Sequence, residues 1–170
     1  MTIHHESPCL DTVTGELERQ VLKGVSRSFY LTLRLLPGPM RRSASLGYLL
    51  ARTSDTLADT AAIPVDQRLA ALDSFTRAVA GTGEIPVWEA GLVNAVTDPR
   101  ERKLLGATAE LLDWLGNTPP GEAALVRDVL ETIISGQVLD LQRFAGASRD
   151  DPVALEDGDA LEDYTWRVAG

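Results

Sequence analysis

Helical spacing of apolar residues constrains this chain more than any other feature of its sequence. Apolar residues recur every three or four positions along most of its length, and no segment alternates steadily between apolar and polar residues. Breakers separate these segments, notably Pro37-Gly38-Pro39, Pro64, Gly81-Thr82-Gly83 and Pro119-Pro120. The pattern predicts an all-α fold, with helices over residues 12–25, 40–61, 65–80, 87–96, 99–115, 122–144 and 157–168.

The helix expected over 122–144 carries a wide apolar stripe. Such a stripe is typical of a long helix inside a bundle rather than on a surface. Its members are Leu125, Val126, Val129, Leu130, Ile133, Ile134, Leu141 and Phe144. With 170 residues, 44% of them hydrophobic, the chain is expected to form one globular domain. We assign residues 1–20 to a leader and the start of the first helix, and residues 21–170 to the domain.

Composition and charge exclude several classes of function. Every apolar run is far shorter than the roughly 18 to 20 residues of a membrane span, and the first residues do not resemble a secretory signal. We therefore expect a cytoplasmic protein.

Cys9 is the only cysteine, which excludes an internal disulfide. A formal charge of −9 without a basic stripe argues against nucleic-acid binding. Any polyanionic ligand would need local arginines or bridging metal ions.

The most informative cluster is Tyr48, Arg52, Asp55 and Asp59, whose spacing places all four side chains on one helix face. Carboxylates one turn apart, about 6 Å between Cβ atoms, repel by about 0.7 kcal/mol in water and more strongly in a half-buried cleft. Mg²⁺ is a natural compensating partner, because it accepts one or two carboxylates and completes its shell with water and phosphate oxygens. For an isolated aspartate pair, a solvated helix face is the more frequent explanation.

Two further features leave alternatives open. Arg52 lies one turn before Asp55, where it either pairs with that carboxylate or makes a bidentate contact to a diphosphate. Asp159 and Asp163 have the same spacing as the first pair, but they belong to a generally acidic stretch. That setting favours stabilisation of a helix N-terminus through the macrodipole.

Four segments, taken together and in order, are much more specific than the aspartate pair. They are Ser26-Arg27-Ser28-Phe29 with a following Leu-Leu-Pro, the run from Tyr48 to Asp59, the run from Gly136 to Phe144, and the run from Tyr164 to Gly170. This series resembles the squalene/phytoene synthase family from about Val21 to the last residue. The resemblance implies an isoprenoid-synthase-type helical bundle around a central cavity, in which two facing aspartate-rich motifs bind lipid diphosphates through magnesium.

The resemblance also implies roles for individual residues. Asp55 and Asp59 match the first aspartate-rich motif and are expected to hold Mg²⁺, or Mn²⁺ in its place. The expected catalytic residues are Asp55, Asp59, Arg52, Tyr48 and Tyr164, and the expected substrate-binding residues are Ser26, Arg27, Ser28, Phe29 and Arg52. Asp140 and Arg143 rank below the first motif, because a structural ion pair between them is a plain alternative. Aromatic residues at helical spacing are also often simple core residues.

The reaction implied is head-to-head condensation of two molecules of farnesyl or geranylgeranyl diphosphate. Squalene or presqualene diphosphate is favoured over phytoene, and NADPH is expected if squalene is the product. Peripheral membrane contact and the oligomeric state are left open. The alternatives are a non-catalytic scaffold or assembly-factor relative of the same fold, and a cyclising terpene synthase.

This chain departs from the family pattern at its end. In the family the second aspartate-rich motif follows the tyrosine landmark that Tyr164 matches, whereas Asp159 and Asp163 precede it. We therefore expect the N-terminal portion of a synthase domain, incomplete at its C-terminus and inactive alone.

Overall fold

The all-α prediction is confirmed. The computed structural model describes residues 27–144, 146–147, 150–151 and 153–169, and this part of the chain forms helices without any strand. The helices are α1 (Arg27–Arg34), α2 (Gly38–Asp59), α3 (Val65–Ala80), α4 (Ala90–Ala95), α5 (Pro99–Gly106), α6 (Thr108–Asn117), α7 (Pro120–Phe144) and α8 (Gly158–Ala169). None of these described helices is both long and apolar enough to cross a membrane. The helix predicted over 12–25 lies outside the described residues.

The two longest helices, α2 and α7, pack against each other at the centre of the bundle. From α2, Leu46, Leu49, Leu50 and Leu57 are completely buried, and α7 contributes Leu130 to the same core. Each such side chain stabilises the fold by about 1.5–3 kcal/mol through removal of apolar surface from water. The helices α1, α3, α5 and α6 pack around α2, while α3 and α8 pack on α7.

Helix α2 also buries hydroxyl side chains. Thr53 and Thr56 each donate to the backbone carbonyl four residues earlier, over 2.9 Å, and Ser54 donates to the Ala51 carbonyl over 2.7 Å. These bonds matter because a buried hydroxyl without a partner destabilises the folded state. Neighbouring helices can therefore enclose α2 close to the turn that carries Asp55.

Arginines from neighbouring elements donate hydrogen bonds to backbone carbonyls at three helix ends. Arg41 donates to the carbonyls of Leu33, Arg34 and Leu36, which joins the end of α1 to α2. Arg68 donates to the Ala58 carbonyl over 2.7 Å, and Arg127 donates to the Val79 carbonyl over 2.9 Å. The last carbonyls of a helix have no partner within the helix, so these contacts satisfy them and link α1 to α2, α2 to α3 and α3 to α7.

The helices predicted over 40–61, 65–80, 122–144 and 157–168 are confirmed as α2, α3, α7 and α8 within two residues at each end. The single helix predicted over 99–115 is wrong, because the chain breaks at Ala107 into α5 and α6. There Thr108 donates to the Leu105 carbonyl and accepts a hydrogen bond from the Trp88 indole. Gly106, just before the break, also lowers the helix propensity.

One predicted helix starts at a different residue, and one short helix was missed. The helix predicted over 87–96 begins only at Ala90, and Val87 is 92% exposed, so helix formation there would bury little apolar surface. Helix α1 was not predicted at all. It is only eight residues long, too short to be stable in isolation, and it depends on burial of Leu33 and on the Arg41 contacts.

The apolar stripe of α7 is divided between two environments. Val126, Leu130, Ile134 and Leu141 are buried in the core, as the stripe predicted. Leu125 and Val129, however, are 67% and 56% exposed, and they border an open groove between α7 and α2. The stripe is therefore buried along the edge that faces the core and exposed along the edge that faces the groove.

Truncation of one core leucine in α7 tests this division. We expect Leu130→Ala to lower the free energy of unfolding by about 3 kcal/mol, because it leaves a cavity in a closely packed core. The matched control is Leu125→Ala on the same helix, whose mostly exposed side chain predicts a change below about 1 kcal/mol. Urea denaturation followed by circular dichroism measures both, and equal effects would contradict the packing described here.

Candidate active site

An acidic cleft lies where the C-terminal turns of α2 meet α7 and α8. Its volume is about 250 Å³. The residues that line it are Asp55, Ala58, Asp59, Ile133, Gly136, Gln137, Asp140, Leu141, Tyr164 and Arg167. Three of the four segments singled out in the sequence therefore meet in one place, although they are far apart along the chain.

Asp55 is held from both sides. One carboxylate oxygen accepts a hydrogen bond from the Gln137 side-chain amide of α7, and the other lies 3.6 Å from the Arg52 guanidinium. Burial raises the pKa of Asp55 above its ordinary value, and the negative charge of Asp59 adds to this rise. Arg52 and the Gln137 hydrogen bond act in the opposite direction but do not cancel it. The charged form of Asp55 is thus incompletely compensated by its neighbours.

The helix dipole of α2 makes the negative charges of Asp55 and Asp59 still less favourable. Helix α2 ends at Asp59 and has no basic residue in its last turn. The C-terminus of a helix carries a partial negative charge, so two carboxylates in its last turns are repelled both by each other and by the helix dipole. A cation in the cleft would relieve both effects.

Arg52 lies at the edge of the face that carries the two aspartates. Its guanidinium forms an ion pair with Glu101 in the first turn of α5, besides its contact with Asp55. Burial works to lower the pKa of Arg52, but attraction to Glu101 and Asp55 outweighs it and raises the pKa. Of the two roles open from the sequence, the structure thus shows pairing with Asp55. Arg52 lines neither the cleft nor the neighbouring groove.

Tyr164 is held at the wall of the cleft by two contacts. Its hydroxyl donates to Asp140 over 2.8 Å, and Phe144 packs edge-on against its ring at a centroid distance of 5.5 Å. The hydrogen bond to Asp140 and partial burial raise the pKa of Tyr164. Asp140 is therefore bound to Tyr164, and in the described part of the chain no ion pair joins it to Arg143, which corrects that alternative.

Gly136 allows α8 to approach α7 closely enough to place Tyr164 there. A Cβ atom at this position would lie 3.1 Å from the Arg167 carbonyl oxygen and 3.4 Å from the Arg167 Cβ. Both contacts are with the body of α8, so any larger side chain would push that helix away from the cleft. Arg167 itself binds Asp163, over 3.0 Å, and the Ser135 hydroxyl.

A larger apolar groove of about 630 Å³ adjoins the acidic cleft along the seam between α2 and α7. It is lined from α2 by Met40, Ser43, Ala44, Gly47, Tyr48 and Ala51, and from α7 by Glu122, Leu125, Val126, Val129 and Ile133. Ile133 lines both spaces, so the groove leads to the carboxylates. Tyr48 therefore lies on the apolar side of the site and Asp55 on its acidic side.

The remaining predicted residues are placed as follows. Ser26 lies outside the described residues, and Arg27, Ser28 and Phe29 form the first turn of α1, with side chains outside what the structure describes. Asp159 lies in the first turn of α8, in agreement with a role at a helix N-terminus. Asp163 instead pairs with Arg167, one turn later in the same helix.

Sequence reasoning missed two residues of the site. Glu101 had the ordinary pattern of an acidic residue in a first helical turn, and only its contact with Arg52 reveals a link to the site. Gln137 lay inside a recognised segment, next to Gly136, but without an assigned role. The position of Gln137 three residues before Asp140 on one helix face was the only available signal.

The chemistry of the cleft fits a hard divalent cation. Asp55 and Asp59 offer carboxylate oxygens, the ligands that Mg²⁺ prefers, and their repulsion is only partly neutralised within the protein. Among the described residues no group of three acidic, histidine or cysteine side chains converges into a metal site. Two carboxylates match Mg²⁺, which typically takes one or two from protein and its other ligands from water and phosphates.

Comparison with known proteins connects this geometry to a family. The sequence profile of the squalene/phytoene synthases matches residues 22–170. The chain belongs to the squalene/phytoene synthase family. The family resemblance noted in the sequence is thereby confirmed. A comparison with curated proteins found no match.

Solved structures agree with the family at the level of the fold. Two structures of TcSQS, in complex with the ligands E5700 and BPH1237, superpose with TM-scores of 0.68 and 0.66, and each is 22% identical to this synthase-family chain. They cover 94% and 93% of this chain but only 40% of each TcSQS chain. The chain thus has the helical fold of the squalene synthases and spans about 40% of the length of the structures it matches.

The raised pKa of Asp55 predicts a pH-dependent stability. A carboxyl group whose pKa is raised by folding contributes stability below its ordinary pKa of about 3.9, and this contribution is lost as the pH rises through the raised value. In the presence of EDTA at pH 7, we therefore expect Asp55→Asn to melt at a higher temperature than the wild type. The difference should shrink as the pH falls toward 4.

Thermal denaturation between pH 4 and pH 8 measures this effect. Asp128→Asn, at an exposed position of α7, is the matched control and should follow the wild type. A lower melting temperature for Asp55→Asn at pH 7 would mean that the Arg52 contact outweighs burial and the charge of Asp59.

Proposed function

We propose that this chain forms part of the active site of a prenyltransferase that joins two prenyl diphosphates head to head. The observation that carries the proposal is the continuity between the apolar groove and the acidic cleft along the α2–α7 seam. A prenyl diphosphate has the same polarity, with an apolar chain at one end and a polyanionic group at the other. The groove suits the chain, and the cleft suits the diphosphate with its counter-ions.

In this proposal Asp55 and Asp59 hold Mg²⁺, for which Mn²⁺ can substitute. The bound cation would neutralise the charge that develops on the departing diphosphate. Arg52 adds a positive charge beside the carboxylates, and Glu101 and Asp55 restrict its orientation. In this proposal the bound cation and Arg52 place positive charge near the departing diphosphate, which stabilises the leaving group electrostatically.

The apolar wall has a second role in the proposal. Cleavage of the bond between C1 and the diphosphate oxygen leaves an allylic cation, which water would quench. Ala44, Gly47 and Val126 offer this cation and the prenyl chain no polar side chain. In this proposal the rings of Tyr48, which lines the groove, and of Tyr164, which lines the cleft, stabilise positive charge by cation–π contact.

The expected product follows from the same chemistry. The cation alkylates the double bond of the second prenyl diphosphate, and loss of a proton closes a cyclopropane ring. Ionisation of that intermediate releases its diphosphate and leaves a cation that rearranges. This cation then either accepts a hydride from NADPH, which gives squalene, or loses a proton, which gives an unreduced hydrocarbon such as phytoene. We propose farnesyl diphosphate as the first substrate to test, in keeping with the name of the TcSQS structures.

The proposed activity is that of the complete protein. Because the chain spans about 40% of the length of the TcSQS structures, it supplies one wall of the proposed site. We propose that the 170-residue chain binds the diphosphate group with metal but does not complete the condensation alone.

The aspartates give the direct test of this function. The 170-residue chain, and any longer form that the gene encodes, are incubated with farnesyl or geranylgeranyl diphosphate and Mg²⁺, with and without NADPH. In the form of the protein that converts the substrate, we expect Asp55→Ala to lower the rate of diphosphate release by about 100-fold or more, because it removes stabilisation of the leaving group. Asp128→Ala, an exposed carboxylate of α7, should have no effect. Absence of diphosphate binding and turnover in every form would favour a non-catalytic scaffold instead.

Position 47 tests the assignment of the groove. A Cβ at Gly47 would meet the Val126 methyl groups at 3.9 and 4.0 Å, which is ordinary contact, so Gly47→Ala should be tolerated. Gly47→Phe would fill the groove and is expected to weaken binding of farnesyl diphosphate by about ten-fold or more. Binding of inorganic diphosphate, which has no prenyl chain, should stay unchanged. Calorimetric titration with Mg²⁺ separates the two, and equal losses for both ligands would contradict the assignment.

A further inference from the structure

Gln137 is the side chain of α7 that reaches across the seam to Asp55. Its amide nitrogen donates a hydrogen bond to one oxygen of the Asp55 carboxylate, while Arg52 faces the other oxygen. The two oxygens of Asp55 are therefore contacted by side chains from two different helices, α7 and α2. A carboxylate with only one such partner would be free to rotate about its last side-chain bond.

The orientation of the Gln137 amide follows from the chemistry of its partner. A carboxylate accepts hydrogen bonds and does not donate them, so the NH₂ group must face Asp55. The amide oxygen Oε1 then points elsewhere. This oxygen is buried and has no hydrogen-bond partner among the described residues, and Gln137 lines the acidic cleft together with Asp59 and Asp140.

A buried amide oxygen without a partner is uncommon, because its lost hydration is not replaced. Asp140 gives no relief, since it is itself an acceptor and is bound to the Tyr164 hydroxyl. A donor that enters the cleft with a ligand, such as water carried by a hydrated cation, would satisfy Oε1. The amide thus contacts Asp55 through its NH₂ group and keeps a buried oxygen without a partner in the described part of the chain.

We infer that Gln137 is a positioning residue that orients Asp55 for metal–diphosphate binding and accepts a hydrogen bond from the bound group. The inference rests on the proposed function, because it takes the cleft as the place where metal and diphosphate bind. Partners that orient a metal ligand usually change metal affinity by about 10- to 100-fold when they are removed. Gln137 acts through Asp55, so its loss should weaken metal binding without disturbing the apolar groove.

The experiment measures Mn²⁺ binding to the chain by electron paramagnetic resonance, with inorganic diphosphate present. Gln137→Met and Gln137→Leu both remove the amide but differ in shape, and we expect each to weaken Mn²⁺ binding by about ten-fold. Agreement between them would exclude a packing effect of one particular side chain. The matched control is Gln142→Met, an exposed glutamine of the same helix, which should bind Mn²⁺ like the wild type.

A second measurement covers the case in which these variants do not fold. In ¹⁵N-labelled wild-type protein, the side-chain NH₂ signals of Gln137 are assigned by their proximity to Asp55. They are expected to shift when Mg²⁺ and inorganic diphosphate are added together, and absence of a shift would overturn the inference.

The outcomes distinguish the inference from the proposed function. If Asp55→Ala abolishes Mn²⁺ binding while both Gln137 variants keep wild-type affinity, the inference is overturned and the proposed function stands. An equal loss in Gln142→Met would also overturn it, because the effect would not be specific to the cleft. If the wild-type chain binds no Mn²⁺ with diphosphate present, the inference is overturned. The proposed function is overturned only if no form of the protein binds or converts a prenyl diphosphate.

Discussion

The packing of α2 against α7 is the contact on which the rest of this structure depends. It buries Leu46, Leu49 and Leu50 together with Leu130, and the same seam forms the floor of both the groove and the cleft. Because the two helices run past each other over most of their length, one interface provides stability at its buried edge and a binding surface at its open edge. The exposed Leu125 and Val129 belong to that open edge.

The charges in the cleft destabilise the folded state, and the packing of α2 against α7 compensates for this cost. Asp55 and Asp59 lie in the last turns of α2, where the helix dipole and their mutual repulsion are both unfavourable. Arg52 and the Gln137 hydrogen bond reduce the cost without removing it. Charged groups with perturbed pKa values, held in place by a well-packed core, are common in catalytic centres. The remaining repulsion is also the physical reason to expect a cation there.

The sequence predicted much of the fold, and its errors have definite causes. Periodicity and breakers located α2, α3, α7 and α8, because long amphipathic helices depend mostly on local pattern. They failed at Ala107, where the Trp88–Thr108 contact accompanies a break, and at α1, which depends on Arg41 and burial of Leu33. Short helices and breaks are decided by contacts between residues distant in the chain.

For the site, the sequence by itself predicted the candidate residues and fixed the order in which they occur along the chain. The spacing of Tyr48, Asp55 and Asp59, together with the family segments, was sufficient to place them on one face of one helix. Only the tertiary structure decided that Asp55 meets Gln137, that Arg52 turns to Glu101, and that Asp140 binds Tyr164. The physical reason is that helical spacing specifies neighbours within an element, whereas partners across elements depend on how whole helices pack.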